Sequence, residues 1–175
     1  MVKNGELKRY TVGVLVSNEP GVLSRVSGLF SRRGFNIDSL AVGPTMDHTI
    51  SRITIVVLGT ESSVEQLVQQ LYKLISVRKV RVFEANNTVE RQLVLVKVKA
   101  DISQREGLMR LVDIFKAKVL DVSRESMVLQ ITGDGEKVSA FIELLEDYGI
   151  LEIVRTGTVA LQRGSDIMSS ELFDI

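Results

Sequence analysis

The sequence predicts an α+β protein made of two βαββαβ units, residues 1–84 and 85–175. Strand-like and helix-like segments follow one another in the same order in both halves. Apolar residues recur at helical spacing in two segments of each half, between runs rich in β-branched residues. A polar, turn-prone stretch at 85–88 separates the halves. The repeat is one of element order, because the two halves differ in residues.

In the first half, β-branched runs predict strands at 8–17, 36–42, 50–58 and 77–83. A helix over 21–33 is expected between the first two strands. A second helix is expected from apolar residues at helical spacing: Val64, Leu67, Val68, Leu71, Leu74 and Ile75. This order, βαββαβ, is that of the ferredoxin-like unit.

In the second half, strands are predicted at 92–99, 118–124, 126–132 and 150–161, the last with a break at Thr156-Gly157. Two helices are predicted from their apolar faces: Leu108, Leu111, Val112 and Phe115; then Val138, Phe141, Ile142, Leu145 and Tyr148. The tail from Gly164 is expected to be poorly ordered.

Several strands of the first half are apolar on both faces, the run 53–58 among them. A ferredoxin-like unit covers only one face of its sheet with helices, so a strand that buries both faces needs a second layer. The sequence leaves two sources open: the two halves pack on each other, or the chain forms an oligomer.

The turn from Asn18 to Leu23 is the most informative motif. Glu19 precedes a proline and is pushed toward an extended conformation, and Pro20 suits the first turn of a helix. Gly21 lets a ligand approach the backbone. The free N–H groups at the helix start favour an anion such as a carboxylate. The pattern predicts a site for a small amino acid, and a plain strand-to-helix connection is the alternative.

Composition excludes several classes of function. Lys plus Arg and Asp plus Glu both total 22, so no net charge attracts nucleic acid or an anionic membrane. The chain has no cysteine, which excludes disulfides and zinc–sulfur sites and fits a cytoplasmic location. No apolar run reaches the length of a membrane span, and no signal peptide is expected.

The motifs at 18–26 and 33–40 closely resemble the ACT domain of acetolactate (acetohydroxyacid) synthase small subunits. The stretches 51–55, 89–93 and 155–164 extend this resemblance over almost the whole chain. It implies a regulatory subunit with no catalytic residues and no cofactor of its own. The implied partner is a large catalytic subunit that uses thiamine diphosphate, a divalent metal and usually FAD.

The resemblance also implies activation of that partner, feedback inhibition by valine, and effector binding between paired ACT domains of a homodimer. By motif, Asn18, Gly21 and Asn36 are the implied ligand contacts. Val22 adds a backbone N–H, and two apolar walls are Leu23 and Ile37. Each asparagine offers an acceptor for an ammonium group and donors for a carboxylate.

Other interpretations of the function have less support in the sequence. RNA-recognition modules share the βαββαβ order but stack bases on aromatic side chains, which the strand 53–58 lacks. An effector domain of another enzyme or of a transcription factor lacks the second half found here. Catalysis has no support: His48 has no second metal ligand nearby, and Ser24, Ser27 and Ser31 have no adjacent base. Arg32-Arg33 and 78–81 are surface charges that could meet the catalytic subunit.

Overall fold

The structure is a computed structural model that describes residues 6–168. Two compact units share the chain: the first contains residues up to Val89 and returns from Thr158, and the second runs from Glu90 to Gly157. The sequence placed the boundary at 84/85 and assigned 158–168 to the second domain. We call 158–168 the return segment.

The first unit forms a four-stranded antiparallel sheet in the order β2-β3-β1-β4 with two helices on one face. Its elements are β1 (Lys8–Ser17), α1 (Val22–Arg32), β2 (Ile37–Pro44), β3 (Ile50–Gly59), α2 (Glu61–Leu71) and β4 (Val77–Phe83). The core lies between this sheet and its helices and is built from alternate strand residues and one stripe of each helix, among them Val12, Val14, Ile53, Ile55, Val26, Phe30 and Leu67. The predicted ferredoxin-like order is therefore confirmed.

The linker is a single 3₁₀ turn (Ala85–Asn87), after which the second unit follows the same plan. Its sheet has the order β6-β7-β5-β8. The remaining elements are β5 (Thr88–Lys99), α3 (Arg105–Phe115), β6 (Lys118–Val122), β7 (Ser126–Gly133), α4 (Gly135–Glu146), β8 (Ile150–Arg155) and β9 (Val159–Gln162), of which β9 lies in the return segment. The predicted break at Thr156-Gly157 separates β8 from β9.

The second predicted helix is shorter than its apolar pattern. It ends at Leu71, and Tyr72 follows it as the C-cap. Leu74 still packs on the core, whereas Ile75 is fully exposed. The prediction that Ile75 belongs to the apolar face was wrong, because the chain has already left the helix at that point.

The helix-free face of the first sheet is covered in part by the return segment. Leu15 and Val56 are buried on this face. Arg52, which also lies on it, donates to the carbonyl oxygen of Ala160 at 2.6 Å. The sulfur of Met168 lies 3.2 Å from the position that a Cβ on Gly13 would occupy. The return segment thus covers part of this face, in addition to the two sources of cover that the sequence left open, which were packing of the two halves and formation of an oligomer.

Arg81 binds the C-terminal part of the return segment by hydrogen bonds. Its guanidinium donates to Gln162 Oε1 at 2.9 Å, to Asp166 Oδ1 at 3.2 Å and to the carbonyl oxygen of Ile167 at 3.1 Å. The expectation of poor order from Gly164 was wrong for residues 164–168; the part of the tail beyond Met168 lies outside the described residues.

Candidate functional site

The turn that joins β1 to α1 depends on Gly21. Its φ of +79° lies in the left-handed region, where an L side chain is strained and glycine is not. A Cβ at this position would meet nothing within 4 Å, so the space above it is open. The sequence predicted that Gly21 permits close approach to the backbone, and the geometry provides both the conformation and the space for it.

The first turn of α1 has free backbone donors. Val22 N donates to the carbonyl oxygen of Glu19 over a long 3.4 Å, and Arg25 N donates to that of Gly21. Between them, the N–H groups of Leu23 and Ser24 find no acceptor among residues 6–168. The first turn also has no acidic side chain. The positive end of the helix dipole and two free donors therefore face an open space, as an anion site requires.

Two of the three other α-helices have an N-cap side chain that accepts from the first turn. Thr60 caps α2, and Asp134 caps α4 by accepting from Lys137 N at 2.9 Å. In the turn before α3, the carboxylate of Asp101 accepts from the N–H groups of Ser103 and Gln104 at 2.8 and 3.0 Å. These bonds, with the Ser103 hydroxyl first among them, lower the pKa of Asp101. The first turn of α3 has no side-chain cap, but the strand-to-helix turn before it contains a carboxylate bound to backbone N–H groups, which the turn before α1 lacks.

Asn18 follows β1 and is tied to the turn between β2 and β3. Its backbone N–H donates to the carbonyl oxygen of Thr49 at 2.7 Å, and its side-chain Nδ2 donates to that of His48 at 2.8 Å. A carbonyl oxygen only accepts, so this contact fixes which end of the amide is the donor. Oδ1 therefore points away from His48, and no donor reaches it from the described residues. Asn18 offers an acceptor and has already used a donor.

The other predicted contacts differ in availability. Val22 is buried in the core, so only its backbone N–H could serve a ligand, and that group already makes the bond to Glu19. Leu23 is exposed, and so is Asn36 just before β2. Ile37, the first residue of β2, is half-buried. The structure gives Leu23 and Ile37 surface that could contact an apolar side chain.

One chain does not bring Asn18 and Asn36 together. At one end of the sheet Ser17 pairs with Ile50, while at the other end Ile37 pairs with Val57, which in turn pairs with Tyr10. From Tyr10 to Ser17 the strand rises about 24 Å at 3.4 Å per residue. The two asparagines thus lie at opposite ends of the sheet, because β2 and β1 run parallel on either side of β3.

The single histidine and the partly buried Arg52 make hydrogen-bond contacts within the fold. Among residues 6–168, no group of three or more His, Asp or Glu side chains could hold a metal ion. His48 contributes its carbonyl oxygen to the contact with Asn18. Burial, with repulsion from Arg81, lowers the pKa of Arg52, which lies under the return segment. Over the described range, every helix is too short or too polar to cross a membrane.

Two family models match the two halves. The "AHAS small subunit-like ACT domain" model matches residues 12–79, and the "Small subunit of acetolactate synthase" model matches residues 91–164. The boundaries of both matches leave the linker at 85–88 unmatched.

Similar whole proteins are known. The chain is 51% identical over 157 residues to a probable acetolactate synthase small subunit of Archaeoglobus fulgidus, covering 90% of this chain and 98% of that protein. It is 50% identical to the acetolactate synthase small subunit of Mycobacterium leprae, covering 90% and 94% of the two chains. The crystal structure of the small subunit from Thermotoga maritima superposes with a TM-score of 0.84 at 43% identity, covering 91% and 99%.

Proposed function

Because this chain belongs to the family of acetolactate synthase small subunits and has their ACT domain, we propose that it is the non-catalytic regulatory subunit of that synthase. Its partner is the large subunit, which uses thiamine diphosphate, a divalent metal and usually FAD to condense pyruvate with a 2-ketoacid. The small subunit raises the activity of this partner and makes it sensitive to valine. The complex works in the cytoplasm.

The open turn at Gly21 is the observation that supports an amino-acid effector. Two N–H donors at the start of α1 suit a carboxylate, and the free Oδ1 of Asn18 suits an ammonium group. A zwitterion carries both groups. The exposed side chain of Leu23 adds apolar surface next to the donors, as a branched aliphatic effector requires.

The separation of Asn18 from Asn36 supports a site shared by two copies. β2 is an edge strand with one unpaired side. If the β2 strands of two copies pair antiparallel, the Ile37 end of one strand lies beside the Pro44 end of the other. Because Pro44 and Asn18 lie at the same end of the sheet, this pairing brings Asn36 of one copy to the open turn of the other. The proposed homodimer thus completes the site twice.

The experiment that tests this function has two parts. The purified chain is titrated with valine, leucine and isoleucine by calorimetry, and it is then added to the large subunit in an activity assay. We expect binding of at least one of these amino acids, activation of the large subunit, and inhibition of the complex by the same amino acid. A chain that neither activates the large subunit nor binds any of the three would refute the proposal.

A further inference from the structure

The turn between β2 and β3 is held by one carboxylate. Asp47 Oδ1 accepts from the backbone N–H of Thr49 at 2.9 Å and from its hydroxyl at 2.7 Å. The carbonyl oxygen of Asp47 accepts from Thr45 Oγ1 at 2.9 Å and from Ile50 N at 3.0 Å. Thr45 N in turn donates to the carbonyl oxygen of Ile50. Asp47 therefore fixes the peptide groups on both sides of His48.

One of those peptide groups, between His48 and Thr49, holds the side chain of Asn18, and the next one holds its backbone. The carbonyl oxygens of His48 and Thr49 accept from its Nδ2 and its backbone N, respectively. The side chain of Asn18 is exposed, so solvent would otherwise let it sample several rotamers. With Nδ2 bound to His48, the carboxamide keeps one orientation, and its Oδ1 is presented outward.

We propose that Asp47 is a positioning residue for the effector: through the 45–49 turn it orients Asn18 so that Oδ1 receives the ammonium group. This inference rests on the proposed function and assigns the orientation of the bound amino acid. The carboxylate goes to the free N–H groups of Leu23 and Ser24 at the positive end of the α1 dipole, because Asn18 Oδ1 only accepts and one of its two Nδ2 hydrogens is bound to His48. Asp47 itself does not touch the effector.

The physical basis is a population effect. A ligand that needs one orientation of Asn18 binds with an apparent affinity reduced by the fraction of molecules that hold it. Without the carboxylate, Thr49 loses both of its bonds to position 47, and the carbonyl oxygen of His48 is no longer fixed. If the oriented fraction falls to about a tenth, valine binds about tenfold more weakly.

The test is a set of calorimetric titrations of the full chain with valine and with isovalerate, which is valine without its amino group. Asp47→Ala should weaken valine binding about tenfold. Asp47→Asn keeps an acceptor oxygen for Thr49 and should stay within about threefold of the parent chain. Isovalerate has no ammonium group, so its weaker affinity should be the same for the parent chain and for Asp47→Ala.

A double variant separates positioning from loss of structure. If Asp47 acts through Asn18, adding Asp47→Ala to Asn18→Ala should cause no further loss of valine affinity. Normal valine binding by Asp47→Ala, an equal loss for valine and isovalerate, or additive losses in the double variant would each overturn the inference. Failure of the parent chain to bind valine would instead refute the proposed function beneath it.

Discussion

The guanidinium of Arg52 lies 5.6 Å from the ring centroid of Phe83, on the helix-free face of the first sheet. This contact places a cation over an aromatic face at a distance where the two attract. Arg81 lies close enough to lower the pKa of Arg52 by repulsion, after burial as the larger cause. Acceptors of the return segment face both arginines. The return segment is therefore an integral part of the ACT unit.

The first prediction concerns the limits of the ACT unit. A fragment ending at Glu84 should be less stable than a single chain in which residues 6–89 continue through a short Gly/Ser linker into 158–168. The fragment loses the acceptors of Arg52 and Arg81, which lie on the helix-free face of the first sheet. Arg163 N donates to the carbonyl oxygen of Asn87 at 2.8 Å, so about six linker residues are enough to join the two parts.

Thermal unfolding and valine titration of the fragment and of the joined chain measure this difference. We expect the joined chain to unfold cooperatively at a higher temperature and to bind valine. Equal unfolding temperatures would show that the return segment adds no stability to the first unit.

The second prediction concerns Gly21→Asp. The new carboxylate enters the open space above the turn, where it can accept from the free N–H groups of α1 and exclude the carboxylate of the effector. The left-handed φ costs roughly 1–2 kcal/mol, so the fold should survive. The complex with the large subunit should remain active and lose its sensitivity to valine.

Gly164→Asp is the matched control for this variant. Gly164 has the same φ of +79°, and a Cβ there also meets nothing within 4 Å. The control adds the same strain and charge away from α1, so its valine dose–response in the reconstituted enzyme should match the parent chain. Parental inhibition in a folded Gly21→Asp complex would mean that the turn is only a connection.

The third prediction addresses the exposed edge of β2. Val42, which is 48% exposed on this strand, should lie at the seam between the paired copies. Val42→Lys would place like charges across that seam and should shift the chain from dimer to monomer, with a parallel loss of valine affinity. Val154→Lys, at a similarly exposed valine of β8, is the control. Light scattering with calorimetry checks both, and a monomeric Val42→Lys with full affinity would contradict the shared site.

The fourth prediction concerns pH. Hydrogen bonds from the hydroxyl and the backbone N–H of Thr49 lower the pKa of Asp47 in the folded chain. A carboxyl whose pKa is lowered by folding contributes stability above its ordinary value of about 3.9, and this contribution is lost as the pH falls through the folded-state pKa. The difference in unfolding temperature between the parent chain and Asp47→Asn should therefore be constant from about pH 5 to 8. It should shrink below about pH 4, and a difference that changes near neutrality would contradict this assignment.

The sequence alone determined the elements and their order. Val22, Val26 and Leu29 recur at helical spacing, and residues 8–17 form a strand with the bounds that were predicted. Such periods report which face of a segment is buried, and they are set by local backbone geometry. The open backbone at Gly21 was also predictable, because glycine leaves space at a turn and tolerates its left-handed φ, although the helix begins only at Val22, so Pro20 lies before its first turn.

Only the tertiary structure decided which parts meet. The return of 158–168 to the first sheet depends on Arg52 and Arg81, and the sequence predicted only a surface charge at Arg81. The separation of Asn18 from Asn36 follows from the order β2-β3-β1-β4, in which strands distant in the chain become neighbours. The hydrogen bond from Asn18 Nδ2 to the carbonyl oxygen of His48 joins residues that lie 30 positions apart in the sequence. Local periodicity carries no information about such partners, because they are selected by the packing of the whole sheet.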